Sequence, residues 1–150
     1  TPPGPEGRIR PMDKRTLYRR ALELRAAGRL FPLDDAHMQD AFEGSVDRFC
    51  DIALRLEGHH RVLDVGAGQG LLLSLLFELG HECHGLDLGD RAEERPAVYG
   101  KGIRFAQCNV EADPLPYPDA HFDAVVCCQV LEHFSHSHLP AVREMRRVLR

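Results

Sequence analysis

Val62-Leu63-Asp64-Val65-Gly66-Ala67-Gly68-Gln69-Gly70 runs from apolar residues through one acid into three alternating glycines, and then opens onto Leu71-Leu72-Leu73. A short apolar run stopped by glycines reads as a buried strand. The leucine-rich stretch 71–79, ended by Gly80, reads as a helix. In an open α/β sheet, ligands lie beyond the carboxyl ends of the strands. Glycines there let the chain turn sharply and let a ligand approach the backbone without meeting a Cβ. The helix that follows presents unpaired N–H groups.

Further along the chain the same alternation repeats. Residues 82–88 are strand-like and end in Gly85-Leu86-Asp87-Leu88. Residues 90–99 are polar, with one helical turn broken at Pro96. Residues 103–110 form a third strand ending in Cys108-Asn109-Val110-Glu111. Residues 113–119 hold three prolines and are loop. Residues 122–131 contain Ala124-Val125-Val126-Cys127-Cys128-Gln129-Val130-Leu131, a continuous run expected of a strand buried on both faces. Residues 138–150 place Leu139, Val142, Met145 and Leu149 on one helical face, and the helix runs out at Arg150 with no following element. Strands alternating with helices predict right-handed βαβ units and a parallel sheet, an α/β Rossmann-like architecture.

Toward the N-terminus, residues 1–11 hold four prolines and read as a flexible lead-in. Asp13 caps a helix over 14–27, stopped by Gly28. Asp34 or Asp35 caps a second over 34–57, with Phe42, Val46, Phe49, Ala53 and Leu56 at helical spacing and Gly44 weakening its middle. The organisation expected is therefore a lead-in over 1–11, a helical cap over 12–57 and a ligand-binding α/β unit over 58–150.

Individual residues at the strand ends carry the candidate chemistry. Asp87, at the second strand's tip, is placed to accept both hydroxyls of a ribose. Asn109 carries both a donor and an acceptor, or alternatively bonds its own backbone as a turn residue. Spacing separates two nucleotide cofactors. A dinucleotide fingerprint wants G-x-G-x-x-G, whereas here the third glycine is Gly70 and position 71 is leucine.

The G-x-G-x-G form after an acidic strand residue resembles motif I of the class I S-adenosylmethionine-dependent methyltransferases. Leu115-Pro116-Tyr117, Phe122-Asp123-Ala124-Val125 and Val130-Leu131-Glu132-His133 follow in that family's order, so the resemblance covers about 58–150. It implies S-adenosyl-L-methionine as cofactor and a strand order of 3-2-1-4 for the part present. It also implies a small-molecule acceptor with an oxygen, nitrogen or carbon nucleophile. Asp64, Gly66, Ala67, Gly68 and Gly70 would then form the motif I loop, Asp87 and Leu88 the ribose site, and Asn109 with Val110 the adenine site. Glu111 is the alternative adenine acid. Gln129 and His133 would face the point of methyl transfer. His133 would be either a general base or an orienting residue bonded to backbone or Glu132. Some relatives hold a metal through E-x-x-E-H; here Gln129 replaces the first carboxylate, a poorer ligand for a hard cation, and no metal is expected. The family sheet has more strands than four, so the expectation is a domain lacking its C-terminal part and nearly inactive alone. Its apolar edge over 122–131 would favour self-association. The rival readings are a non-catalytic S-adenosylmethionine- or nucleotide-binding regulatory module and a nicotinamide-dependent oxidoreductase.

Composition agrees with a folded globular unit. Of 150 residues, 43% are hydrophobic and 28% charged, and no run reaches the length of a membrane span. The formal net charge of −4 hides an asymmetry: residues 1–33 carry eight basic against three acidic residues, residues 34–138 seven against nineteen. So acidic a body argues against a nucleic-acid platform. The basic N-terminal third is the solvated face of a helix or a patch for a partner or membrane surface. Cys50, Cys83, Cys108, Cys127 and Cys128 show no CxxC spacing, and the N-terminus has no apolar signal segment. Buried free thiols in the cytoplasm are expected.

Overall fold

A computed structural model describes residues 12–150; the lead-in expected over 1–11 lies outside the described residues. Helix α1 (Lys14–Ala26) starts where Asp13 accepts the Thr16 N–H at 2.9 Å, and it ends at Gly28, whose φ is +67°. The second expected helix is two. Asp35 caps α2 (Ala36–Glu43) by accepting the Met38 N–H, and α3 (Val46–Arg55) begins after Ser45. The break falls at Gly44-Ser45, a pair of weak helix formers where the backbone leaves helical geometry at Ser45.

Strand β1 (Arg61–Val65), helix α4 (Leu71–Glu78) and strand β2 (Glu82–Asp87) form the first βαβ unit. Two four-residue helices, α5 (Arg91–Glu94) and α6 (Pro96–Tyr99), meet at Arg95, where proline restricts the preceding residue. Strands β3 (Arg104–Gln107) and β4 (Ala124–Cys127), a 3₁₀ turn at Leu131–His133 and helix α7 (Leu139–Val148) complete the described chain. The sheet is entirely parallel in the order β3-β2-β1-β4, as the strand–helix alternation and the motif order predict.

Alternation along β1 divides the core. Val62 packs with α1, α3 and α4 on one face, while Leu63 and Val65 pack with Ala141 and Val148 of α7 on the other. Ala124 and Val126 of β4 join the first cluster and Val125 and Cys127 lean on the second, so both faces of this strand are covered. The strand is shorter than the expected 122–131. Its last partner is Val65, which pairs with Cys127. Beyond that, Gln129 turns the chain with φ +56°, and Val130 packs on Gly66 instead of extending the ladder.

The chain end also differs from expectation. Helix α7 stops at Val148, and Leu149 is extended and bridges in parallel to Phe122. The Arg150 N–H donates to the Phe122 carbonyl at 3.0 Å. Leu149 and Arg150 thus pair beside Phe122, just ahead of β4, rather than continuing the helix.

Candidate active site

Two adjoining cavities, each about 280 Å3, open over the carboxyl ends of the strands. Gly66 and Gln129 line both. The first is walled by Asp87, Leu88, Asn109, Val110, Glu111 and His133, among others. The second is walled by Arg48, Phe49, Asp64, Ala67, Gln69 and Cys128, among others. Most of the strand-end candidates from the sequence therefore meet here. Gly68 and Gly70 line neither cavity.

All three motif glycines have positive φ: Gly66 +77°, Gly68 +53° and Gly70 +78°. Space distinguishes them. A Cβ on Gly66 would fall 2.2 Å from Val130 Cγ2, and one on Gly70 would fall 2.9 Å from Val98 Cγ1. These two are glycine because protein packs against them. Only at Gly68 does the Cβ direction point into open space, as close approach of a ligand would require.

Asp87 is set by the loop it faces. Its Oδ2 accepts the Gly68 N–H at 2.8 Å, its Oδ1 accepts the Gly89 N–H at 3.4 Å, and Arg91 Nε also lies 3.4 Å from Oδ1. A carboxylate offers about four lone-pair sites, so these contacts leave acceptor capacity toward the first cavity. Asn109 Oδ1 accepts the Glu111 N–H at 3.2 Å, which realises the turn reading of that residue while it still lines the cavity. Glu111, the alternative acid, is engaged by His136, whose backbone N–H donates to Oε1 at 2.7 Å and whose Nδ1 lies 3.0 Å from the same oxygen. His133 ends the 3₁₀ turn, exposed at the rim of the first cavity.

Asp64 sits on the same face of β1 as Val62, 6% exposed, at the wall of the second cavity. Among the described residues no donor bonds its carboxylate. Burial, reinforced by the charge of Asp87, pushes its pKa up to about 7. A buried carboxylate with no partner, facing a cavity, is suited to an ammonium group. Arg48, on α3, lines the same cavity. Sequence reasoning missed Arg48: the helical periodicity placed Phe49 on the core face and carried no mark separating Arg48 from other solvated arginines. It also placed Cys128 inside a strand, whereas Cys128 lies past the end of β4 on the cavity wall.

The residues present thus fit an adenosyl amino acid. Asp87 meets the needs of a ribose, and Asp64 with Arg48 matches an α-ammonium and an α-carboxylate. A parallel β3-β2-β1-β4 sheet whose glycine turn and second-strand acid border such a cleft defines a class I S-adenosylmethionine-dependent methyltransferase domain. The chain belongs to the methyltransferase domain family, whose profile matches residues 63–150. Its cofactor is S-adenosylmethionine.

Among the relatives, the uncharacterized methyltransferase YcgJ of Bacillus subtilis is 36% identical over 96 residues, covering 61% of this chain and 37% of its own. The ubiquinone biosynthesis O-methyltransferase of Nitrosospira multiformis is 36% identical over 94 residues, 60% of this chain and 37% of its own. The crystal structure of YcgJ superposes with a TM-score of 0.56 at 33% identity, covering 68% of this chain and 45% of that one. The [4+2]-cyclase SpnF superposes with a TM-score of 0.56 at 29% identity, covering 71% of this chain and 42% of that one. The matched part of the chain therefore spans between 37% and 45% of the length of these proteins.

Proposed function

We propose that the protein transfers a methyl group from S-adenosylmethionine to a small-molecule nucleophile. The observation that carries this reading is the unpartnered, buried Asp64 carboxylate on the wall of one cavity, with Asp87 on the wall of the adjoining cavity over the strand tips. S-adenosylmethionine supplies an electrophilic methyl, so the protein's task is alignment and exclusion of water. Asp64 and Arg48 hold the amino-acid end and Asp87 the ribose. Leu88, Asn109 and Val110 wall the adenine, with Ala67 and Gln129 between the two ends. Gly68 leaves room for the cofactor, while Gly66 and Gly70 shape the loop. The residue 12–57 helices, through Arg48 and Phe49, roof the methionine end and act as a cap on the unit over 58–150.

His133, exposed at the rim of the first cavity, would act as the general base that accepts a proton from an acceptor hydroxyl. The name of the Nitrosospira relative supports an oxygen acceptor. No helix among the described residues is long and apolar enough to cross a membrane. The free cysteines, most of them buried, support a reducing, cytoplasmic setting.

One observation favours a second reading. The similar structure of SpnF is that of a [4+2]-cyclase, so the fold also serves proteins named for other chemistry. Calorimetric titration with S-adenosylmethionine and with NAD, followed by an assay for S-adenosylhomocysteine with a panel of small-molecule oxygen, nitrogen and carbon nucleophiles, separates the possibilities. Binding of S-adenosylmethionine with cofactor consumption supports transfer. Binding without consumption favours the second reading or a regulatory module, and preference for NAD overturns the cofactor assignment. Asp87→Ala is expected to weaken S-adenosylmethionine binding by about 1.5–3 kcal/mol, the worth of hydrogen bonds to a charged group. Unchanged affinity in a folded variant removes Asp87 from the ribose site.

A further inference from the structure

Arg95 stands at the joint of α5 and α6 and bridges two parts of the molecule that are far apart in sequence. Its Nη1 donates to Asp35 Oδ2 at 2.8 Å, and its Nε donates to Gln69 Oε1. Asp35 is the cap of α2, its other oxygen accepting the Met38 N–H at 3.0 Å. Gln69 lies in the glycine loop and on the wall of the second cavity. One turn beyond Arg95, the Tyr99 hydroxyl donates to the Gly68 carbonyl at 2.9 Å. Both ends of the ion pair are largely covered, with side-chain exposures of 26% for Arg95 and 23% for Asp35. Neither residue lines either cavity.

The consequence is mechanical. Helix α2 leads through Gly44-Ser45 into α3, which carries Arg48 and Phe49 onto the second cavity. Seating of the α2–α3 layer and the shape of the glycine loop therefore pass through one guanidinium. Arginine's planar fork suits this role, because separate N–H groups reach separate acceptors in fixed geometry, and lysine's single ammonium does not reproduce that.

We infer that Arg95 is a positioning residue coupling the docking of the α2–α3 layer to the conformation of the S-adenosylmethionine loop, through Asp35 on one side and Gln69 on the other. The inference rests on the cofactor reading above for its functional meaning. The coupling itself concerns the loop and is measurable without cofactor.

Asp35→Asn tests it selectively, because asparagine caps a helix as well as aspartate does, so α2 keeps its start while the ion pair is lost. Two measurements are made on the wild type, Asp35→Asn, Arg95→Met, Arg95→Lys and the double variant Asp35→Asn/Arg95→Met. One is the S-adenosylmethionine dissociation constant. The other is amide hydrogen exchange over residues 66–70 without cofactor. The expected result is that Asp35→Asn weakens cofactor binding about 5-fold or more, the scale of coupling between distinct sites, and speeds exchange in the loop. The double variant is expected to be no worse than Arg95→Met, and Arg95→Lys not to restore the wild-type values. Effects that add in the double variant, or an Asp35→Asn protein with unchanged loop exchange, overturn the inference. If the wild type does not bind S-adenosylmethionine, the cofactor reading fails, and the exchange measurements still decide the coupling.

Discussion

Gly66 and Gly68 share a backbone conformation but not a reason for being glycine, and this separates their expected variants. Gly66→Ala combines left-handed backbone with a Cβ 2.2 Å from Val130 Cγ2, so it should lose about 2–5 kcal/mol in urea melts. Val130→Ala in that background should recover part of the loss, the part due to the clash. Gly68→Ala meets no atom within 4 Å and should cost about 1–2 kcal/mol of backbone strain while weakening cofactor binding. Equal destabilisation by the two substitutions would contradict the packing argument. Asp64 makes a pH-dependent case. Its pKa, raised to about 7 in the folded state, means that the folded protein keeps a proton that the unfolded chain releases near pH 4. Stability should therefore fall as pH rises from about 4 to about 7 and level off above. Without cofactor, Asp64→Asn should flatten that slope and exceed the wild type near pH 8 by on the order of 2–4 kcal/mol. Denaturant melts across that range check both. On the proposed function, the same substitution should also weaken S-adenosylmethionine binding, since it removes the anion proposed to meet the ligand's ammonium.

At the scale of elements, the ends of β1 and β4 opposite the active site are tied by a single carboxylate. Asp123 accepts the N–H groups of His60 and Arg61 at 2.9 and 2.8 Å, and Arg150 Nη1 donates to it at 2.7 Å. The backbone bond from Arg61 leads in holding its pKa below the usual carboxylate value. A depressed folded pKa gives stability that is present above the unfolded value and lost as pH falls through the folded one. Asp123→Ala should cost about 1–3 kcal/mol near neutral pH, because two donors at the strand starts lose their acceptor. Thermal melts near pH 7 and pH 3 should show that difference shrinking on acidification. A gap that persists at low pH would mean that the carboxylate charge is not what holds the strands. The FDxV pattern was legible in the sequence as a strand start. The function of its acid was not, because both donors lie more than sixty residues upstream.

For the whole molecule, the outer edge of β4 is the exposed element of the sheet that carries the most apolar character. Among the described residues its flank is met by the single Phe122–Leu149 bridge. An apolar edge with unpaired backbone groups recruits other strands. Sedimentation velocity of the 150-residue chain at rising concentration should therefore show self-association. A monomer at all concentrations, cooperative on heating, would show that this edge is already protected.

Local patterns determined the strand–helix alternation and the placing of Gly66 and Asp87 at strand tips, while the order β3-β2-β1-β4 was legible only through the order of the family motifs. Hydrophobic period, capping residues and glycine turns act over a few neighbouring residues, so their outcome is written in the order of the chain. Tertiary structure alone decided that β4 stops at Cys127, that Val130 fills the space beside Gly66, and that Arg48 lines the second cavity. It alone joined Asp35 to Gln69 through Arg95 and left Asp64 buried without a donor. Each of these depends on which surfaces meet after helices from the first third of the chain dock onto the sheet. Burial and contact geometry belong to the packed molecule and have no local signature in the residues that produce them.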